Sequence, residues 1–513
     1  MEKPNENIPQ ILKTEKSNGN ITQALKMLEE LQDMYWIDSG KSNLDLFEQF
    51  CYQLLFEIGL MVKENKHSVP EQYQIFRTRN FMTNSDVGPV HGDKFIITAF
   101  EIRIDEIVQL LFKEDKDFRE IEGISKSPVT IRNIVNTAND IVQLFVPDSW
   151  DSIPLVIELF LEKCYLSKRS ELIFTPNHIA DIISQIILKE SSLRFDVLNV
   201  TDPFCGSGGL LFKFFEKRQQ EGYRNAWFYG FEQNVQLRRI AKICRKFFSA
   251  NIRFNSNLME NTDRKYDVIL TNPPFGSRAS VSEDIELDVP IKTKNTYLLY
   301  IQNTLLKLSP GGVCAIIAPD GFLFNISGEH QAVRRWMLEK FCIKGIITLP
   351  QFAFAPFTNL NSSIIILSKP EEHSHIDESK MIFYYEVLSD GFSKDTRRKK
   401  IPDNDLIPLP QIWSQKDFYL DKWMSELEKK SVQNVFGVSA PAEWKFENIW
   451  FVPVDEVLEN DSILLLQRYR LQKDTRISTE NPIKILKTLL ELEDKSSQQL
   501  KLLMEGIDLD DSL

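Results

Sequence analysis

With 513 residues, of which 42% are hydrophobic and 26% charged, the chain is too long for one ordinary domain and too apolar for a disordered protein. Its formal net charge of −12 excludes a protein that grips nucleic acid over its whole surface, because neutralising phosphates requires lysine and arginine. Any affinity for DNA is therefore expected to be local, or to depend on another protein.

Signals for export, membrane insertion and metal binding are missing from the sequence. No stretch approaches the roughly 20 apolar residues that a membrane span needs. The start of the chain lacks the basic-then-apolar pattern of a signal peptide, so we expect a cytoplasmic protein. The six cysteines are scattered, with no CxxC pair and no histidine at metal-ligand spacing, which predicts reduced thiols and no metal site.

Residues from about 20 to 165 carry apolar side chains at three- and four-residue steps, which predicts amphipathic helices. Clear examples are ITQALKMLEELQDMYWI and ITAFEIRIDEIVQLLFKE. This region contains no catalytic motif. We therefore expect residues 1–165 to form a helical N-terminal domain for packing or partner contact.

Beyond this region the pattern changes to short β-branched runs separated by helical stretches, with the Thr175-Pro176 pair opening one of the helices. The candidate strands are DVLNVTDP, WFYGFE, YDVILTNPP, VCAIIAPDG, KGIITLP and SSIIILSK. Such alternation is typical of a parallel sheet with crossover helices. The sequence therefore predicts an α/β catalytic domain, built on a doubly wound sheet, over residues 166–420.

The last part of the chain is less regular. MIFYYEVL predicts a further strand, and a basic run follows at Arg397–Lys400, which either meets DNA phosphates or is simply solvated. Residues 421–513 are expected to form a C-terminal extension. It ends in an amphipathic helix, NPIKILKTLLELEDKSSQQLKLLMEGI, of the kind that packs on its own protein or on a partner.

Two candidate binding elements follow predicted strands. DPFCGSGG, residues 202–209, lies between a strand and a helix, and such a glycine-rich turn allows close approach of a ligand to the backbone. A tight turn without a ligand would look the same. Glu232 ends the next strand, where nucleoside-binding folds hold ribose hydroxyls, although a glutamate is more often a solvated surface charge.

The most informative element is Asn272-Pro273-Pro274-Phe275, directly after the strand YDVIL. Two prolines cannot continue a sheet, so the chain must leave the strand stiffly. The amide oxygen of Asn272 and the carbonyl of Pro273 can then accept from a planar amino group and free its nitrogen lone pair. Phe275 can stack on a base drawn out of a duplex. A simple proline turn would need neither the asparagine nor the aromatic residue.

Together these motifs resemble those of S-adenosylmethionine-dependent amino-methyltransferases, and specifically of the modification subunit of type I restriction-modification systems, in the γ group of N6-adenine DNA methylases. The resemblance covers about residues 170–470. It includes Phe174-Thr175-Pro176, DPFCGSGG, GFEQN, TNPPFG, SPGGVCAIIAPDGFLF and RRWMLEKFCIKGIITLPQFAFAPFTNLNSSIIIL. It implies a Rossmann-like methyltransferase sheet with a helical N-terminal domain and a C-terminal helix, and site-specific methylation of adenine N6 in DNA.

The resemblance also implies residue roles. Thr175-Pro176 would contact the methionine end of S-adenosylmethionine, Asp202 and Gly206 would line its methionine and ribose, and Glu232 would hold the ribose hydroxyls. Asn257 occupies the position where relatives often carry an acidic residue against the cofactor adenine. The expected cofactor-binding residues are Thr175, Pro176, Asp202, Phe204, Cys205, Gly206, Ser207, Gly208, Glu232, Asn257 and Asn272. The expected catalytic residues are Asn272, Pro273, Pro274 and Phe275.

Alignment of a desolvated amine with an already electrophilic methyl group needs neither a strong base nor a metal. The family further implies double-stranded DNA and a separate specificity subunit as partners, with a restriction subunit as a further candidate. We therefore expect the chain to methylate poorly alone. Two alternatives stay open: methylation of a protein glutamine or an RNA amino group, and a catalytically inactive scaffold subunit.

Overall fold

The architecture is taken from a computed structural model. It describes residues 15–39, 42–64, 70–78, 81, 92–119, 121, 123–145, 149–166, 174–190, 197–223, 225–256, 264–275, 289–371, 381–434 and 436–470. Asn257 and the predicted terminal amphipathic helix lie outside these residues. Within them, no helix is long and apolar enough to cross a membrane.

Helices make up the first region, as the apolar spacing predicts. They are α1 Glu15–Ser39, α2 Asn43–Glu64, α3 Asp93–Leu111, α4 Pro128–Phe145 and α5 Ile153–Leu166, with short 3-10 helices at Glu71–Thr78, Lys116–Phe118 and Trp150–Ser152. In α4, the residues Ile131, Ile134, Ala138, Ile141 and Phe145 are buried at steps of three and four, which gives the helix one continuous apolar face. Helices α2 and α5 pack against the helix Val235–Phe248 of the following region.

The second region is built on a nine-stranded sheet. Its strands are β1 Leu198–Asp202, β2 Ala226–Phe231, β3 Ile252–Asn255, β4 Tyr266–Thr271, β5 Leu308–Pro319, β6 Cys342–Thr348, β7 Ser362–Ser368, β8 Met381–Glu386 and β13 Ile449–Pro453. They lie in the order β13-β8-β6-β7-β5-β4-β1-β2-β3 among the described residues. The central strands β4 and β5 are apolar and buried over most of their length, which is typical of a sheet with both faces covered.

Helices connect and flank these strands. They are α6 Asn177–Leu188, α7 Gly209–Gln220, α8 Val235–Phe248, α9 Thr296–Leu306, α10 Asp320–Phe324, α11 Gly328–Lys340, α12 Leu409–Ser414, α13 Lys416–Lys429 and α14 Val454–Glu459, with a 3-10 helix at Leu466–Arg468. Two small antiparallel ladders pair β9 Asp390–Phe392 with β10 Lys400–Asn404, and β11 Ser431–Gln433 with β12 Ser439–Pro441.

Parallel strands dominate the half of the sheet that carries the motifs. Strand β1 pairs in parallel with β2 on one side and with β4 on the other, and β2–β3 and β4–β5 are also parallel. The strand order therefore reverses beside β1, and open α/β sheets bind ligands at such a reversal, outside the carboxyl ends of the strands. This arrangement confirms the predicted Rossmann-like fold class and places the motifs at its usual binding edge.

Details of the sheet go beyond the prediction. All six candidate strands form, as does the one predicted from MIFYYEVL, but the four-residue strand β3 is additional. Strand β7 runs antiparallel between β5 and β6. The predicted boundary at residue 420 lies within α13, and β13 from the predicted extension forms the sheet edge by pairing with β8. The three-domain division remains a prediction.

Candidate active site

Three motif residues meet at one edge of the sheet because three neighbouring parallel strands end there. Asp202 is the last residue of β1, Glu232 follows the end of β2, and Asn272 follows the end of β4. The last residue of β4, Thr271, donates a hydrogen bond of 2.8 Å to Asp202 Oδ1. The ends of β1 and β4 are thus joined directly at the reversal of strand order.

The turn after β1 needs glycine at two positions. Gly206 and Gly208 have φ angles of 53° and 90°, in the left-handed region that side chains other than glycine rarely adopt. A Cβ atom on Gly208 would also lie 2.8 Å from the Phe212 ring, whereas one on Gly206 would meet nothing within 4 Å. The backbone at Gly206 therefore borders open space, as a surface for close approach of a ligand requires.

Asp202 is a buried carboxylic acid at the start of this turn, with a side chain only 2% exposed. Its Oδ1 accepts hydrogen bonds from the Phe204 amide at 3.0 Å and from Thr271. Burial raises the pKa of Asp202 to about 7, against the lowering effect of these two bonds. A group that donates to its carboxylate would therefore restore the charged form.

Glu232 is fixed by the backbone on both sides. Its Oε2 accepts from the Gly206 amide at 3.1 Å and its Oε1 from the Asn234 amide at 2.7 Å. Burial raises the pKa of Glu232, while these backbone hydrogen bonds act to lower it. Each carboxylate oxygen keeps a second lone pair, which is the acceptor set that two neighbouring hydroxyls require.

Asn272 presents an acceptor that has no donor. Its Nδ2 donates to Thr175 Oγ1 at 3.0 Å, which holds the plane of the amide. Its Oδ1 is buried and accepts no hydrogen bond from the described part of the chain. An unsatisfied buried acceptor costs about 1–3 kcal/mol, so this position favours a ligand that brings an N–H or O–H group.

The two prolines and Phe275 turn the chain away from the sheet, as predicted. Pro273 is buried, and Phe275 is half-buried in a cluster of aromatic rings. The Phe275 ring meets Tyr297 and Phe354 in edge-on contacts, with ring centroids 6.4 and 6.3 Å apart. These contacts fix the Phe275 ring beside Asn272. Tyr297 lies in none of the motifs, and Phe354 lies in a stretch that carries the family resemblance but was given no role there, so sequence reasoning missed both contacts.

The remaining residues of the glycine-rich turn support its shape. The ring of Phe204 lies 4.6 Å from that of Tyr300 on α9, and Ser207 is buried. Burial raises the pKa of Cys205 well above its usual value, so this cysteine stays a thiol. It is a packing residue of the turn and not a nucleophile.

Other charged candidates have structural partners. His178, in the first turn of α6, pairs with the buried Asp390 at 3.1 Å. Arg398, from the predicted basic run, also pairs with Asp390 and covers the ring of Phe392. Arg397 pairs with a neighbouring aspartate on the surface. The described residues contain no group of three or more His, Cys, Asp or Glu side chains that could hold a metal ion.

Comparison with protein families decides the assignment. The family model described as N-6 DNA Methylase matches residues 150–477, which is more than half of the chain. The chain belongs to this N-6 DNA methylase family. The match includes the Thr175-Pro176 pair, the glycine-rich turn, Glu232 and the Asn272–Phe275 motif. The predicted family is thereby confirmed, whereas the roles of the individual site residues stay predictions.

Among curated relatives, the chain is 26% identical over 218 residues to the type I restriction enzyme EcoEI methylase subunit of Escherichia coli, covering 39% of this chain and 43% of the relative. It is 22% identical over 286 residues to the HindI methylase subunit of Haemophilus influenzae, covering 52% and 62%. The matches thus span less than two thirds of the length of either relative.

Solved structures show the same fold. A chain from a structure on complex assembly and conformational transition of the type I restriction-modification system superposes with a TM-score of 0.60 and 22% identity, covering 96% of this chain and 98% of that one. The type I methyltransferase subunit from Streptococcus thermophilus superposes with a TM-score of 0.59 and 18% identity, covering 88% and 99%. The likeness therefore includes the helical region as well as the sheet.

Proposed function

We propose that this chain transfers a methyl group from S-adenosylmethionine to the N6 amino group of adenine in DNA, as the modification subunit of a restriction-modification or related defence system. The observation that carries the proposal is the Asn272 amide. Its Nδ2 is held by Thr175, and its buried Oδ1 has no donor within the described residues. An exocyclic amino group supplies the missing N–H.

The surroundings of Asn272 support a planar target. The Pro273 carbonyl follows Asn272 on a stiff segment and offers a second acceptor for the same amino group. Phe275 is held edge-on by two other aromatic rings, beside that segment. An enzyme that acts on a base must take it out of the stack and hold it by its polar edge and its face. These residues provide an amide edge and an aromatic face for that purpose.

The part of the sheet edge at the ends of β1 and β2 fits S-adenosylmethionine. Gly206 leaves backbone exposed to open space, Glu232 offers free lone pairs for two ribose hydroxyls, and Asp202 is a buried acceptor suited to the cofactor's ammonium or hydroxyl groups. When bound, the cofactor supplies an electrophilic methyl group on a sulfonium. Asn257, in the segment outside the described residues, remains the proposed contact to its adenine.

The residues of this chain then act by orientation. By accepting the two N–H bonds, Asn272 and Pro273 fix the plane of the amino group and concentrate its lone pair on nitrogen. Burial at the sheet edge removes water from that nitrogen. Pre-orientation of two reactants can lower a barrier by roughly 7–11 kcal/mol, so no strong base is needed at the amine.

The proposed partners follow from charge and from the relatives. The net charge of −12 and the pairing of Arg397 and Arg398 with aspartates reduce the positive charge that the basic run can offer to DNA. The EcoEI and HindI relatives are named as methylase subunits of type I restriction enzymes. We propose that this chain acts on double-stranded DNA with a separate specificity subunit, and that a restriction subunit joins the complex.

Calorimetry of the full chain with S-adenosylmethionine tests the cofactor half of the proposal. We expect binding by the wild type and at least tenfold weaker binding by Asp202→Ala. Transfer of tritium from labelled cofactor to DNA, compared with protein and RNA, tests the target. An absence of cofactor binding by the folded wild type would refute the enzyme proposal, and label in protein or RNA alone would refute DNA as the substrate.

A further inference from the structure

Helix α8 meets the N-terminal helical region through buried charges. Arg238, Arg239 and Lys242 point from α8 toward carboxylates of that region, and all three are buried. Buried ion pairs are costly to form and sensitive to the loss of one partner. These three residues belong to α8, the helix that begins directly after the loop that carries Glu232.

Arg238 is the member of this group that reaches the candidate active site. Its Nε and Nη2 donate to the two carboxylate oxygens of Asp117, at 2.5 and 2.7 Å, in a bidentate pair. Its Nη1 donates to the backbone carbonyls of Glu232 and Gln233, the latter at 3.1 Å. One guanidinium thus joins the helical region to the loop that carries Glu232.

Asp117 is itself held in place. Its own Oδ2 accepts a second bond, from Lys242 Nζ at 2.7 Å, and Lys242 also donates to Asp115. Burial acts to raise the pKa of Asp117, but the hydrogen bonds from Arg238 and Lys242 outweigh it and lower the pKa to about 2. Asp117 is therefore ionised at near-neutral pH and is a fixed partner for Arg238.

The contacts continue from Arg238 to the glycine-rich turn. Glu232, whose carbonyl Arg238 holds, uses its carboxylate to accept from the amides of Gly206 and Asn234. Asn234 caps α8 by accepting from the Leu237 amide at 3.0 Å. A displacement of Arg238 would therefore move the Glu232 backbone and shift its carboxylate relative to Gly206.

A neighbouring ion pair provides the comparison. Arg239 donates to both carboxylate oxygens of Glu48 in α2, at 2.7 and 3.1 Å, and is buried like Arg238. This pair also joins α8 to the helical region. Among the described residues, no hydrogen bond joins the Arg239 guanidinium to the Glu232 loop. Both pairs are buried arginine–carboxylate pairs that join α8 to the helical region, through the 3-10 helix Lys116–Phe118 for Asp117 and through α2 for Glu48. They differ in that only Arg238 also donates to the Glu232 loop.

We propose that Asp117 and Arg238 are positioning residues for Glu232, so that docking of the N-terminal helical region helps to set the affinity for the cofactor. The inference rests on the proposed function, in which Glu232 holds the ribose hydroxyls. Neither residue touches the reacting atoms. Their effect falls on cofactor binding and not on the methyl-transfer step.

The test compares Asp117→Asn with Glu48→Gln in the full chain. Each change replaces a buried carboxylate by an amide of the same shape, and each places an N–H donor against an arginine. Calorimetry measures the Kd for S-adenosylmethionine, thermal unfolding measures the common loss of stability, and kinetics with the partner subunit measure KM for the cofactor and kcat. Arg238→Lys serves as a second variant, since a lysine cannot make the forked contact.

We expect Asp117→Asn and Arg238→Lys to raise Kd and KM for the cofactor about fivefold or more, with kcat at saturating cofactor nearly unchanged. Glu48→Gln should lower the melting temperature without a comparable change in Kd. Equal Kd values for Asp117→Asn and wild type, or equal weakening by Glu48→Gln, would overturn the inference. Failure of the wild type itself to bind the cofactor would instead refute the proposed function.

Discussion

Thr175 has two candidate roles, contact with the cofactor and orientation of the Asn272 amide. The family resemblance implies that Thr175 contacts the cofactor, whereas in the structure its Oγ1 accepts from Asn272 Nδ2 at 3.0 Å. Thr175→Val keeps the shape of the side chain and removes the acceptor. A neutral hydrogen bond contributes about 0.5–1.5 kcal/mol net. If the hydrogen bond from Asn272 to Thr175 acts by orienting the Asn272 amide toward the target amino group, loss of this bond slows methyl transfer about 2- to 12-fold.

Single-turnover methylation with enzyme in excess measures this effect, because product release does not contribute. We expect Thr175→Val to slow the single turnover while the Kd for S-adenosylmethionine stays close to wild type. Thr175→Ser, which restores the hydroxyl, should recover most of the rate. A Kd that rises in Thr175→Val, with an unchanged rate at saturating cofactor, would refute the orienting role and support the cofactor contact.

Three further variants test other parts of the site. Gly206→Ala should bind S-adenosylmethionine weakly by calorimetry, yet melt like the control Gly222→Ala, since both have positive φ and open space at Cβ. Asp202→Asn keeps the Oδ1 acceptor and removes a carboxyl whose pKa burial raises to about 7. The folded wild type holds that proton more tightly than the unfolded chain does, so the folded state loses stability as pH rises from about 4 to about 7. The amide of Asp202→Asn does not titrate. The melting temperature of Asp202→Asn relative to the wild type should therefore be higher at about pH 8 than at about pH 5. Phe275→Leu should weaken productive DNA binding, seen as a higher KM for DNA with unchanged cofactor Kd, because base stacking contributes about 1–3 kcal/mol. A wild-type cofactor Kd in Gly206→Ala, a melting-temperature difference of Asp202→Asn that does not change with pH, or a wild-type KM for DNA in Phe275→Leu would each contradict the corresponding expectation.

Local sequence signals predicted most of the sheet because the strands carry apolar, β-branched runs. Strand β3, Ile252–Asn255, was missed, since it is a four-residue edge strand in which only alternate residues are buried. The antiparallel direction of β7 was also missed. Its residues are buried on both faces, and such a run has the same composition whichever way it points.

The motif residues of the candidate site were predicted because rigid turns and strand ends leave clear local patterns. Their supporting contacts were not. Nothing in the sequence distinguishes Thr271, whose hydroxyl donates to Asp202, from other strand residues. Likewise, Arg238 is one of several basic residues on α8, and only the structure shows that it pairs with Asp117. Asp117 lies 121 positions away in sequence, and nothing in the spacing of the chain predicts that pairing.

The central claim is that the Asn272 amide directs methyl transfer to adenine N6. Its most direct test is single-molecule methylation sequencing of DNA from cells that carry the wild-type system or its Asn272→Ala variant. Calorimetry should first show that the variant still binds S-adenosylmethionine. We expect one N6-methyladenine motif in wild-type DNA and its loss in the variant. The same motif in both, or no adenine methylation in the wild type, would contradict the proposed role of Asn272.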